Sequence, residues 1–227
     1  MKVLVVAAHP DDEVLGCGGA IAKHTEQGDI VHVLIMAEGA TSRSLQRDRS
    51  KAKNQLSALA VAAQQASEIL GVQSLKLHHF PDNRMDSCDL LDVIKVIEKK
   101  ISQYQPEIIY THHFGDVNID HRRIHEAVVT AVRPIPGQIV QTLLFFEIAS
   151  STEWQPSSSA LPFTPNWFVD ISETLSLKIK ALTAYESEMR PFPHARSVNA
   201  LEHLAKWRGA SVGVEAAEAF LLGRNLI

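Results

Sequence analysis

Short runs of β-branched and other apolar residues alternate along the chain with longer stretches whose apolar positions recur every three or four residues. "KVLVVAA" (2–8), "IVHVLIMA" (30–37), "SLKLHHF" (74–80), "EIIYTHH" (107–113) and "TLLFFEIA" (142–149) read as strands. Residues 15–26, 45–70, 90–101 and 123–132 read as helices, with Gly28 and Gly71 as stop signals. Near-continuous apolar strands separated by helices predict a parallel sheet covered on both faces. Right-handed crossovers then predict an α/β fold of the Rossmann-like, doubly wound kind, its first strands ordered 3-2-1-4-5. "SSTEWQPSSSALPFTPNW" (150–167) reads as a loop, and "WFVDIS" as a strand followed by helices. No repeat or linker divides the chain, so a single domain over 1–227 is expected.

In that strand order the first and fourth strands are neighbours, and a crevice opens at their carboxyl ends. The loop after the first strand is His9-Pro10-Asp11-Asp12-Glu13, and the loop after the fourth lies in "THHFGDVNIDHRRIH" (111–125). The topology therefore brings together two polar clusters far apart in sequence. His9 and Asp12 are separated by two residues, so one turn can present both to a single ion. A catalytic zinc commonly takes three such ligands and keeps one position open. His121 is the best candidate for the third. Asp11, beside this pair, stays ionised near a cation and is placed to act as a base on a water that the metal acidifies.

The plainer reading of an acid after a strand is a helix N-cap, and for either aspartate alone that reading wins. A histidine and two aspartates facing a second His/Asp cluster favour the metal. "GCGG" (16–19) lacks the GxGxxG spacing of a dinucleotide loop, and small residues there suit close packing of helix on sheet.

Composition narrows the function. The net charge of −4 argues against a dedicated nucleic-acid binder. Two distant cysteines, Cys17 and Cys88, suggest neither a disulfide framework nor a cysteine metal site, in keeping with a reducing compartment. No apolar run approaches the roughly 20 residues of a membrane span. A soluble, cytoplasmic protein is expected, with association into a homo-oligomer left open.

"AHPDDE" (8–13) together with "NIDHR" (118–122) resembles the PIG-L (LmbE-like) deacetylases. The resemblance extends to "ILGV" (69–72), "PDNRMD" (81–86) and "RGASVGVEAAEAF" (208–220). It implies removal of acetyl from an N-acetylglucosamine-type sugar by a divalent metal, usually zinc, with another ion such as Fe2+ as the alternative. It also implies the metal ligands His9, Asp12 and His121, the base Asp11, and Asp120 orienting a neighbouring histidine. Many members carry a histidine where this chain has Asn118; an amide there is expected to act as an uncharged transition-state donor, with His112, His113 and His194 as alternatives.

Arg84, in the loop after the third strand, is expected to contact substrate. Arg49, with Arg43 and Arg47 in the loop after the second, and His194 in "EMRPFPHARS" (188–197) are further candidates. Trp154, Phe163 and Trp167 would form a lid or a subunit interface. The expected reaction is metal-dependent release of acetate from an acetamido sugar. The alternatives are a non-catalytic domain binding a metal or a nucleotide sugar, and a hydrolase of another amide.

Overall fold

The computed structural model describes residues 1–227. Five parallel strands form the body of the sheet: β1 (Lys2–Ala7), β2 (Ile30–Ala37), β3 (Ser74–Phe80), β4 (Ile108–His112) and β5 (Thr142–Phe146). Between them run α1 (Asp12–Glu26), α2 (Lys53–Ile69), α3 (Leu90–Tyr104) and α4 (Ile119–Ala131). After β5 come β6 (Trp167–Asp170), α5 (Leu175–Ala184), α6 (Val198–Ala210) and β7 (Ala217–Asn225). The sheet order is β3-β2-β1-β4-β5-β7-β6, with β7 antiparallel to both neighbours. The expected doubly wound, mainly parallel fold is therefore present, extended by an antiparallel pair.

β1 shows why both faces must be covered. Val3, Val5 and Ala7 pack with α1, α2 and α5 on one side, while Leu4, Val6 and Ala8 pack with α3 and α4 on the other. Every one of these side chains is buried, so the strand reads as continuously apolar rather than alternating. "GCGG" brings α1 onto the sheet: a Cβ at Gly16 would lie 2.4 Å from the Phe146 ring.

Several boundaries differ from the sequence reading. α1 and α4 begin earlier than periodicity suggested, because their first turns are polar residues turned into the crevice. Residues 44–52 precede α2 rather than belonging to it; Arg47 and Arg49 there reach back to Glu38. β5 ends at Phe146, and Ser151 and Thr152 turn in onto Asp116 in the loop after β4. β7 was not foreseen as a strand, since "EAAEAF" has the composition of a helix. Trp167 belongs to β6 and so is not part of a lid.

Candidate active site

The loops at the carboxyl ends of β1, β3, β4 and β5 converge, and the two polar clusters meet between β1 and β4. His9 and Asp12 lie at the end of β1; the N–H of His9 donates to Asp12 Oδ2 at 2.8 Å. His121, in the first turn of α4, has Nε2 at 3.2 Å from the same oxygen. One ligand atom from each of His9, Asp12 and His121 falls within a 4.8 Å group, and all three residues are largely enclosed.

Two buried atoms of these ligand residues have no hydrogen-bond partner: Asp12 Oδ1 and His121 Nε2. Unpaired buried polar atoms are costly, so two of them within one ligand group fit a bound electrophile. The remaining ring atoms are spoken for. His9 Nε2 lies 2.9 Å from Asp120 Oδ2, which turns Nδ1 toward Asp12. His121 Nδ1 lies 3.1 Å from Asp116 Oδ2. A carboxylate behind each imidazole fixes its tautomer and raises its basicity, the usual support of a metal ligand. The donor set of two imidazoles and a carboxylate suits a catalytic divalent ion.

The surrounding charges agree. Burial alone would raise the Asp12 carboxyl, but the charge of His121 and the imidazoles of His121 and His9 against its Oδ2 hold it well below the usual range. Burial lowers His121 less than the Asp12 and Asp116 carboxylates raise it, and it reaches about 9. Asp116 overcomes its own burial through His121, Ser151 and the Asn118 N–H and sits at about 2. An ion entering here would displace protons from the imidazoles.

Asp120 accepts from the N–H groups of Asn83 (2.6 Å) and Met85 (2.9 Å) as well as contacting His9. It thereby ties the "PDNRMD" loop to the β1 turn. A second grouping of His9, Asp82 and Asp120 shares that histidine, but the backbone donors already occupy Asp120.

Asp11 stands beside the centre. Its backbone has φ 108°, outside the usual regions for a residue with a Cβ. Burial pushes its carboxyl up to about 7, against the pull of the Arg196 guanidinium. A cation held by the neighbouring ligands would favour its ionised form, from which it can act as a base.

Asn118 is the N-cap of α4. Its Oδ1 accepts from the Asp120 N–H at 2.8 Å, and its Nδ2 donates to Asn83 Oδ1 at 3.0 Å. Of the alternative imidazoles, His112 stacks on His121 at 4.0 Å and accepts the Ala8 N–H on Nε2. His113 Nε2 lies 3.3 Å from the Leu161 carbonyl. His194 accepts the Arg196 N–H on Nδ1. Arg84 bonds the Leu45 carbonyl, and Arg49, half exposed, pairs with Glu38. Neither arginine hydrogen-bonds the His/Asp cluster.

Sequence reasoning passed over Asp116, Ser151, Thr152 and Arg196. Asp116 lay in view within the second cluster. Arg196 is two residues from the candidate His194, within "EMRPFPHARS". Ser151 and Thr152 carried no signal, because a hydroxyl in a Ser-rich loop is unremarkable until the fold turns it onto Asp116.

The family described as "PIG-L: GlcNAc-PI de-N-acetylase" matches residues 4–132. The chain is 29% identical to the uncharacterized deacetylase YaiS of Escherichia coli K12, over 82% of this chain and 90% of that one. It is 28% identical to a probable N-acetyl-alpha-D-glucosaminyl L-malate deacetylase 2 of Bacillus cereus, over 90% of this chain and 93% of that one. The structure of GalB, the 4-carboxy-2-hydroxymuconate hydratase of Pseudomonas putida KT2440, superimposes with a TM-score of 0.75 at 26% identity, over 100% of this chain and 97% of that one.

Proposed function

This chain belongs to the PIG-L family, and from that premise we propose that it is a metal-dependent deacetylase that hydrolyses the N-acetyl group of an N-acetylglucosamine-type sugar and releases acetate. The observation that carries the reading is the grouping of His9, Asp12 and His121 ligand atoms within 4.8 Å, with Asp12 Oδ1 and His121 Nε2 buried and without hydrogen-bond partners. We take the whole chain, 1–227, as one domain, and its ion as zinc. Its two free cysteines support a reducing, cytoplasmic setting.

His9, Asp12 and His121 would hold a divalent ion, which would supply an electrophile for the acetyl carbonyl and lower the pKa of the attacking water. Asp11 takes the proton from that water, and Asp11 or a neighbouring histidine returns a proton to the departing amine. Asp120 and Asp116 keep His9 and His121 in the tautomers that present a lone pair to the ion. Asn118, beyond its cap, has a second amide hydrogen for the developing oxyanion. Arg84, Arg49 and His194 remain candidates for contacts with the sugar or its substituent.

The test is acetate release from N-acetylglucosamine conjugates, with and without chelator. Asp11→Asn should retain the metal and lose about 10²–10⁴-fold in kcat. A variant near the wild-type rate would reduce Asp11 to a turn residue. Full-length likeness to a hydratase favours a second reading, in which the same ion and base add water to a carbon–carbon double bond. Loss of alkene absorbance in place of acetate release would select it.

A further inference from the structure

The main chain of Asp11 is held in its unusual conformation from both sides. Its N–H donates to Glu13 Oε2 at 3.1 Å, and its carbonyl accepts from the N–H groups of Val14 and Leu15. Glu13 is itself buried and takes the Tyr185 hydroxyl at 2.5 Å. A backbone so constrained stores strain that its surroundings must offset. What this leaves open is the rotation of the carboxylate. One side chain hydrogen-bonds it: Arg196 Nη1 donates to Asp11 Oδ2 at 3.0 Å.

Arg196 is anchored independently. Its Nε donates to Ser150 Oγ at 2.6 Å, and its N–H to His194 Nδ1 at 3.0 Å. Ser150 has φ 69°, and its own N–H is taken by Glu153 Oε1 at 2.6 Å. Two strained turns, one after β1 and one after β5, therefore meet at one guanidinium. It arrives from the segment between α5 and α6, and its side chain is only 23% exposed. No lysine and no other arginine hydrogen-bonds Asp11, Asp12, Asp82, Asp116 or Asp120. A planar fork suits the place, because Nε and Nη1 reach two acceptors in fixed relation, which a single ammonium does not.

Resting on the deacetylase reading above, we propose that Arg196 is the positioning residue of the catalytic base, fixing the rotamer from which the Asp11 carboxylate takes its proton. A reacting group displaced by about 1 Å can cost about 10²-fold in rate, so this contact is large enough to matter.

The experiment compares Arg196→Ala, Arg196→Lys, Asp11→Asn and the Arg196→Ala/Asp11→Asn double variant on one acetamido-sugar conjugate, with bound metal measured for each. Arg196→Ala should lower kcat about 10²-fold and leave KM within about threefold, with metal content unchanged. Guanidinium added to the buffer should restore part of its rate. In the Asp11→Asn background Arg196→Ala should cost nothing more, because both changes remove the same step. Arg196→Lys should fall between wild type and Arg196→Ala. Crystals of zinc-loaded Arg196→Ala should show the Asp11 carboxylate out of its wild-type rotamer.

Additive losses in the double variant, a rise in KM alone, or an Asp11 rotamer unmoved without Arg196 would each overturn the proposal. If Arg196→Ala does not fold, Ser150→Ala removes the anchor instead; a folded Ser150→Ala enzyme with wild-type kcat overturns it equally. If wild type releases no acetate from any acetamido sugar, the deacetylase reading falls, and the rotamer in the Arg196→Ala crystals still decides whether Arg196 holds Asp11.

Discussion

Asp12 is the residue around which the charges of the site are arranged. Fully enclosed, it faces His9, His112 and His121, and one of its oxygens is unpaired. If the unpaired atoms are filled by a metal, His121→Ala should abolish stoichiometric zinc binding, and metal analysis at wild-type content would remove His121 from the ligands. Asp116→Asn keeps the shape but weakens the support of His121, and should cost about 10–100-fold in metal affinity by competition with a chelating dye. Asn118 separates two roles that one substitution would confuse. Asn118→Ala should lose about 1 kcal/mol of stability as a missing N-cap. Asn118→Asp keeps the capping oxygen and removes the amide donor, so a thermally normal but slow Asp variant assigns Asn118 to the transition state. One with unchanged kcat leaves it a cap. The ligand candidates and Asp11 were legible because histidine and paired acids after a strand are rare without a task. Asp116 was not, since a single loop acid has many uses until its partners are known.

At the scale of elements, α1 is broken. Cys17 has φ −149° inside it, which frees backbone groups in a buried place. Glu218 of β7 takes the N–H groups of Gly19 (2.9 Å) and Ala20 (2.7 Å), and Lys178 of α5 donates to the Leu15 carbonyl at 2.8 Å. Lys178 and Glu218 pair with each other at 2.6 Å. The break lets the first turn aim Asp12 and Glu13 into the site while the rest of the helix lies on the sheet. "RGASVGVEAAEAF" contains the acid that closes this gap. Glu218→Ala should destabilise by about 3–5 kcal/mol in urea unfolding, because it leaves Lys178 buried without its counter-charge. Glu218→Gln, which keeps one acceptor, should cost less. A loss from Glu218→Ala below about 1 kcal/mol, the worth of a surface pair, would mean that packing alone maintains the break. Periodicity located α1 but not its interruption, because the groups that repair it come from elements about 160 to 200 positions later in the chain.

For the whole molecule, the family match ends at residue 132, yet the site does not. Ser151 and Thr152 hold Asp116, Arg196 holds Asp11, and Tyr185 holds Glu13. β7 covers the edge that β5 would otherwise present, and an open apolar edge invites aggregation. A fragment of residues 1–135 should therefore be insoluble or partly folded and should bind zinc far more weakly than the full chain. A soluble fragment with a cooperative unfolding transition and wild-type zinc affinity would instead make the second half a separable addition.

The five parallel strands, their order, the crevice between β1 and β4 and the pairing of two distant clusters across it all followed from the chain alone. The reason is that apolar runs must be covered and right-handed crossovers leave few ways to do so. Which atoms of those clusters face one another, that Asn118 caps α4, that Arg49 turns to Glu38 and that Arg196 reaches Asp11 were decided only in three dimensions. These depend on side-chain torsions and on loops returning from the far half of the chain. Local pattern is blind to them, because a polar side chain takes its partner from whatever the packed sheet and helices bring within about 3 Å.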